Sequence, residues 1–365
     1  MSDMHLITLD RLNTAIRRVV QGFGSSEQEV EAVASNLIMA NLSGHDSHGI
    51  GMLPRYAAAY LEGGLAPNAH VEVLLDAGSL LRLDGRTGFG QVIGHEAMEL
   101  GIARARAHGC CIVALGNSHH LGRIGAWAEQ AAAAGLVSMH FVNVISRPIV
   151  APYGGADARL GTNPFCAGVP LPDGRPPVIL DFATSTIAQG KTRVAHNKGE
   201  LVAPECLIDD AGRPTQQPRY TVIPPFGALL PFGGALGGHK GSGLAFMCEL
   251  LGGALAAGMA QREPDSGRKR VLNGMFSVLV DPDRLGNRAT FEAEALGAIA
   301  WVQASPPQEG VERVQIAGEA ERAWRAERSA RGVPVDSTTW QEILDAAASL
   351  GVDPHIVHSA AGLAG

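Results

Sequence analysis

The chain has 365 residues, of which 46% are hydrophobic and 18% charged, a composition that belongs to a folded globular protein and excludes a disordered or low-complexity one. Its 29 basic and 36 acidic residues leave a formal charge of −7, and aromatic residues make up only 5%, so neither the basic footprint nor the stacking platforms of a nucleic-acid binder are present. Five cysteines, an odd count that includes the adjacent pair Cys110-Cys111 and has no CxxC spacing, suggest neither a disulfide framework nor a zinc ribbon; they fit a reducing cytoplasm, and the N-terminus lacks the residue order of a secretory leader.

In chain order, Leu9, Leu12, Ile16 and Val19-Val20 recur at helical spacing up to the break at Gly22–Gly24. Ser26 and Glu29 have capping-box spacing for a second helix, whose apolar stripe Val30, Val33, Leu37, Ile38, Leu42 stops at Gly44. The polar segment His45-Asp46-Ser47-His48-Gly49 therefore falls just past a helix end, where a rigid element can aim side chains into a cleft. Strands are expected over 71–75 and 80–83, a helix over 94–108, a buried strand over 110–115, a helix over 124–134, a strand over 136–142 and an apolar run at 178–181. Residues 200–231, aperiodic and holding several prolines, read as a long surface excursion. A helix over 241–258, a strand over 276–280 and polar helices near 320–330 and 337–350 complete the chain. The apolar run 241–260 carries Glu249 in its middle, which favours a buried or intersubunit helix over a membrane span. Alternating helices and strands indicate a mixed α/β core.

Glycine, at 46 residues, stands at nearly twice its usual share of roughly 7%. Gly88-Phe89-Gly90-Gln91-Val92-Ile93-Gly94 imitates a dinucleotide fingerprint, but its third glycine is one position late and the next strand, ending near Leu115-Gly116, carries no acid for a ribose. A tight strand-to-helix turn is the better reading. Gly237-Gly238-His239-Lys240-Gly241-Ser242 imitates a phosphate loop, but His239 and Gly241 break the Walker order. Such a glycine-rich turn before a helix is still expected to be able to hold a phosphate through backbone N–H groups. His45, His48, His119, His120 and His239 lie in polar, turn-like clusters, and histidine is the natural general acid at neutral pH. With no HExxH and no distinctive ligand spacing, a metal is not expected. Thr162-Asn163-Pro164 and Leu180-Asp181-Phe182-Ala183-Thr184-Ser185 place a carboxylate and hydroxyls at a buried strand end, suited to hold a ribose or to orient a histidine. Ser47 beside His48 lacks the elbow motif of a serine hydrolase.

Taken together, Gly44-His45-Asp46-Ser47-His48-Gly49, Asn117-Ser118-His119-His120-Leu121-Gly122-Arg123, Thr162-Asn163-Pro164, Leu180 to Ser185, Gly190-Lys191-Thr192, Gly238-His239-Lys240-Gly241 and Gly318-Glu319 resemble the type-2 malate/L-lactate dehydrogenase family over about residues 5 to 355. The run Ser47 to Tyr56 and the excursion Thr192 to Pro231 are most similar to its bacterial hydroxycarboxylate dehydrogenase B branch. The resemblance implies a mixed α/β, L-sulfolactate/malate dehydrogenase-like fold distinct from the Rossmann fold. A helical, substrate-side domain of residues 1–120 with 310–365 would accompany an NAD(P)-binding domain of residues 121–309. It implies a homodimeric, NAD- or NADP-dependent oxidoreductase acting on a small 2-oxo or 2-hydroxy acid, with no metal and no membrane or nucleic-acid partner.

By the same resemblance His48 is the proton donor, His120 carries the acid/base role in other relatives, and Asp181 belongs with them. The implied cofactor contacts are His48, Gly122, Arg123, Ile124, Leu180, Asp181, Phe182, Ala183, Thr184, His239, Lys240, Asn273, Gly318 and Glu319. Ser146 joins them by matching a serine of ureidoglycolate-type relatives after a two-residue gap. The implied substrate side is Ser47, Met52, Arg55, Thr162 and Asn163. Met52 occupies the position where many relatives have a carboxylate-clamping arginine; either Arg55 or Arg123 takes over that task, or the substrate is larger and more apolar than malate. Two alternatives stand beside the dehydrogenase: a reductase of cyclic imines of the piperideine- or pyrroline-2-carboxylate type, and a non-catalytic, ligand-binding relative.

Overall fold

The computed structural model describes residues 4–263 and 269–363. The chain begins with β1 (Met4–Ile7), α1 (Leu9–Gln21) and α2 (Glu27–Leu42). The expected stripe is the buried one: Leu12, Ile16, Val19, Val20, Val30, Val33 and Leu37 are wholly enclosed. Half of the capping box forms, Ser26 Oγ accepting the Glu29 N–H at 3.3 Å. The Glu29 carboxylate, however, receives Ser25 Oγ and the Asn68 N–H. Two 3₁₀ turns, Asp46–His48 and Ile50–Met52, then lead into α3 (Leu53–Leu61), which has Pro54 in its first turn.

Next come β2 (Glu72–Asp76), β3 (Leu80–Asp84), α4 (Gly90–His108), β4 (Cys110–His119), α5 (Gly125–Ala133), β5 (Val137–Ile145), β6 (Phe165–Val169) and β7 (Val178–Phe182). The excursion that follows holds α6 (Gln189–Lys198), β8 (Leu207–Ile208), β9 (Pro214–Thr215), α7 (Arg219–Val222) and β10 (Ala228–Leu229), its short strands forming a small sheet in the order β10-β8-β9. The chain ends with α8 (Gly234–Cys248), β11 (Leu272–Val280), α9 (Arg288–Gln303), α10 (Glu319–Arg331), β12 (Val333–Asp336), α11 (Ser337–Ser349) and α12 (Pro354–Ala360), and β12 pairs antiparallel with β1.

The main sheet has seven strands in the order β2-β3-β4-β11-β5-β6-β7. Only β3 and β4 run parallel; the other neighbours are antiparallel. A doubly wound parallel sheet is thereby excluded, in keeping with the failed fingerprint at Gly88. One hydrophobic core joins α1, α2 and α3 to α11, α12 and the β1–β12 pair; a second lies between the main sheet and α4 and α5. The turns that carry the polar motifs lie where these two bodies meet.

Three expectations need correction. Helix α4 starts at Gly90, earlier than the apolar pattern indicates, because its first turn passes over the His120 carbonyl: a Cβ on Gly90 would sit 2.1 Å from that oxygen. The glycine-rich stretch before residue 241 is itself helical, in α8, so it offers no phosphate-holding turn. Gly241 serves close packing there, a Cβ on it falling 2.2 Å from the Phe232 carbonyl oxygen. Helix α9 escaped notice because none of its residues is buried within the chain, which leaves no amphipathic stripe to read. Among the described residues no helix is long and apolar enough to cross a membrane.

Candidate active site

The His48 turn is built by α2. Asn41, at the end of that helix, donates from Nδ2 to Asp46 Oδ1 at 2.7 Å and accepts the Ile50 N–H on Oδ1 at 2.8 Å, so one amide holds both sides of the turn. The amide crosses directly over Gly49, where a Cβ would lie 2.0 Å from Asn41 Oδ1. Arg328 of α10 closes the arrangement with a two-pronged ion pair to Asp46, at 2.6 and 3.1 Å. The result is a rigid turn that projects His48, with Ser47 Oγ 2.9 Å from its Nδ1.

His120 comes from the opposite side, one residue past β4. The Leu121 N–H is held by Asn273 Oδ1 of β11 at 2.8 Å, and Asn273 Nδ2 donates to the Asn143 carbonyl at 2.8 Å. Tyr56 of α3, fully buried, places its Oη 2.7 Å from His120 Nδ1 and accepts from Gln91 Nε2 at 2.9 Å. With that lone pair taken by Gln91, the phenolic proton points to His120 Nδ1, which leaves the ring N–H on Nε2. The His48 and His120 rings stack with centroids 5.6 Å apart and planes 19° from parallel. Burial, reinforced by His45, Arg123 and Arg55, lowers the His48 pKa to about 4. Burial, then His48, His119 and Arg55, likewise pushes His120 well below the ordinary histidine range. Both rings are therefore neutral at pH 7 in the unliganded protein.

The pair lines a cavity of about 390 Å³. Of the residues expected at the site, Ser47, His48, Met52, Arg55, His120, Gly122, Ile124, Ser146, Thr162, Ala183 and Asn273 meet there. A second cleft of about 450 Å³ holds Arg123, Asp181 and Gly318 together with Glu321, Arg322 and Arg325. Asp181 Oδ2 accepts the Gly125 N–H at 2.7 Å, capping α5, and its neighbours are His45 and Arg123 rather than either stacked imidazole. Burial raises its pKa. Arg123 is enclosed and ion-paired with Glu129, so Arg55 is the cation offered to the cavity.

Other expected residues stand apart. Asn163 is wholly buried and spends its side chain on the Val144 N–H, the Ala245 carbonyl and Glu249. Thr184 Oγ1 donates to the Thr162 and Asn163 carbonyls, and Phe182 packs edge-on against Phe165 and Phe232. Leu180 is exposed on β7, while Glu319 pairs with Arg313 at 2.8 Å beside the second cleft. His239 and Lys240 are exposed on α8, His239 facing Tyr153, and line neither cavity. The cavity also contains residues the sequence did not single out, among them Arg147, Gln189 and Arg193. Gln189 and Arg193 are spaced i, i+4 on α6, one residue beyond each side of Gly190-Lys191-Thr192; that spacing, read on a helix, was the available signal. Tyr56, inside a helical apolar pattern, reads as ordinary core and gives none.

A family model described as malate/L-lactate dehydrogenase matches residues 7–344. Hydroxycarboxylate dehydrogenase B of Escherichia coli K12 is 46% identical over 358 residues, 96% of each chain. A solved structure of a candidate malate/lactate dehydrogenase from E. coli superposes with a TM-score of 0.93 at 45% identity, covering 98% of this chain and 99% of that one. A Δ1-pyrroline-2-carboxylate/Δ1-piperideine-2-carboxylate reductase of Pseudomonas syringae is 35% identical over 283 residues, 76% of this chain and 80% of its own.

Proposed function

The chain belongs to the malate/L-lactate dehydrogenase family, and from that premise we propose that it is a nicotinamide-dependent 2-hydroxycarboxylate dehydrogenase, equivalently a 2-oxo acid reductase. The observation that carries this reading is the stacked His48–His120 pair in one cavity with Arg55. A positioned proton source and a cation for the substrate carboxylate are what reduction of a 2-oxo acid requires of the protein itself.

The residues present suit a dinucleotide, NAD or NADP. Gly122, Ile124, Ser146 and Ala183 line the histidine cavity, and next to it the second cleft supplies the cations Arg123, Arg322 and Arg325. Asn36 Oδ1, a buried acceptor without a hydrogen-bond partner, lies against Gly122, where it can receive an amide N–H. Gly318, at φ +91°, keeps the second cleft open where a Cβ would meet Arg322 at 2.9 Å. When bound, the cofactor supplies or accepts the hydride at carbon 2. Arg55 binds the carbon-1 carboxylate. That carboxylate brings negative charge next to a neutral His48 and raises its pKa, so the imidazole gains its proton as the substrate arrives. His48 then donates to the 2-oxo oxygen in reduction and withdraws the proton in oxidation. His120 presents its Nε2–H to the same oxygen, held in that tautomer by Tyr56.

The test is His48→Ala: turnover falls about a hundredfold or more while cofactor binding stays nearly intact, and unchanged turnover removes His48 from the role. The P. syringae relative supports a second reading, reduction of a cyclic imine carboxylate; turnover of such imines with 2-oxo acids inert decides for it. We further read the chain as a homodimer in a reducing cytoplasm. Exposed apolar side chains on α8 and α9, led by Leu236 at 94% and Trp301 at 82%, support the first part, and five unpaired cysteines support the second.

A further inference from the structure

The histidine cavity opens into an outer one of about 750 Å³, and the two share Arg55, Ser146, Arg147, Ile149, Gln189, Arg193 and Val271 along their common wall. Three of those shared residues are arginines brought together from α3, the end of β5 and α6. Helix α6 is seated on the histidine turn: a Cβ on Gly190 would lie 2.7 Å from Ser47 Cβ, and Arg193 Nη2 comes within 3.8 Å of the Cβ position of Gly51. Gln189 Oε1, on the same face of α6, sits 3.5 Å from Arg55 Nη2. Across the cavity Arg147 stacks on Phe226, its guanidinium carbon 3.9 Å from the ring centroid, and donates to the Thr221 carbonyl at 3.3 Å.

Among the described residues the carboxylate nearest this group is Glu342, 3.4 Å from Arg193. Glu62 and Asp345 line only the outer cavity, together with Lys269 and Arg270. Burial, then Arg193 and Arg147, lowers the Arg55 pKa, with Glu342 offsetting part of the effect. Arg55 acts on His48, whereas Arg147 and Arg193 act on Arg55. The order from the reacting end outward is thus His48, Arg55, then the Arg147–Arg193 pair. One carboxylate at Arg55 leaves the outer pair facing the same cavity with held, orientated guanidinium groups.

We propose that Arg147 and Arg193 form a second anion subsite, which selects 2-oxo and 2-hydroxy acids carrying an oxyanion at the far end of the side chain. The inference rests on the 2-oxo acid reading above. It reverses the expectation that Met52 makes the pocket favour apolar substrates: the charge missing from position 52 is supplied from other elements and placed farther from the histidines.

The experiment compares substrates of equal length with and without a terminal anion: 2-oxopentanoate against 2-oxopentanedioate, 2-oxohexanoate against 2-oxohexanedioate, and a phosphonate-ended analogue to distinguish carboxylate from phosphate-like termini. In the unmodified protein the terminal anion raises kcat/KM by about tenfold or more, and added salt erodes that advantage. Arg193→Gln and Arg147→Gln each bring the ratio toward one. Glutarate inhibits the unmodified protein more strongly than pentanoate, a comparison that needs no variant. Turnover of 2-oxopentanoate with no advantage for the dianion, or a ratio unchanged in both variants, overturns the subsite and leaves the dehydrogenase reading in place. Silence on every 2-oxo acid overturns both.

Discussion

Replacing Tyr56 with phenylalanine removes one oxygen and leaves the ring packing against Phe89 and His119 in place. That oxygen is the shared partner of Gln91 Nε2 at 2.9 Å and His120 Nδ1 at 2.7 Å. Gln91 is 2% exposed, so its donor finds no water, at a cost of about 1–3 kcal/mol. His120, at 9%, borders the cavity, where water can replace the phenol, and contributes about 1 kcal/mol more. The sum is a destabilisation of about 2–4 kcal/mol, read as a lowered denaturant midpoint with an unchanged slope. Activity falls for a separate reason. Without the phenol, the His120 proton is no longer fixed on Nε2, and turnover drops by roughly 10- to 100-fold. Because stability and proton placement are separate readouts, the variant is assayed by urea titration and by the pH dependence of single-turnover reduction, well below the unfolding midpoint. A variant with midpoint, rate and pH profile all unchanged would refute the Gln91–Tyr56–His120 relay.

The buried imidazoles set an acid limit. His48 and His119 have pKa values near 4 and His140 near 3, in each case lowered by burial first. The unfolded chain, with histidines near 6.5, therefore binds more protons than the folded one between these limits. Stability is whole above about pH 6.5 and is lost as pH falls toward 4, each group costing roughly 1.4 kcal/mol for every tenfold by which folding weakens its hold on a proton. Melting temperature against pH checks this, and a flat profile from pH 7 to 4.5 would contradict it. Gly49→Ala is expected to cost more activity than an exposed glycine substitution, because the new Cβ falls on Asn41 Oδ1 and displaces the His48 turn. Its kcat drops while cofactor affinity changes little, and full activity would show the turn to be adaptable.

Much of the helical layer was legible because its apolar residues recur at 3.6-residue spacing and become the buried stripe of α1 and α2. Strand identities were legible too, but their order was not. β11 enters the middle of the sheet from more than 150 residues away in sequence, and no local pattern encodes that insertion. At the site, His48 and His120 stood out as histidines in polar turns. Tyr56 and Gln91 did not, since buried members of amphipathic helices look alike until a partner is known. Asn163, Thr184 and Lys240 illustrate the converse: polar residues near glycines read as ligand contacts, yet Asn163 and Thr184 satisfy buried backbone groups and Lys240 lies on an exposed helix.

The most direct test of the account is deuteride transfer. The purified protein is incubated with NADH or NADPH deuterated at the nicotinamide C4 position and a panel of 2-oxo acids, and the products are analysed by mass spectrometry and proton NMR. The account predicts one deuterium at carbon 2 of a single 2-hydroxy acid enantiomer, and loss of that product in the His48→Ala protein. Cofactor oxidation without deuterium at carbon 2, or no oxidation with any 2-oxo acid, would contradict it.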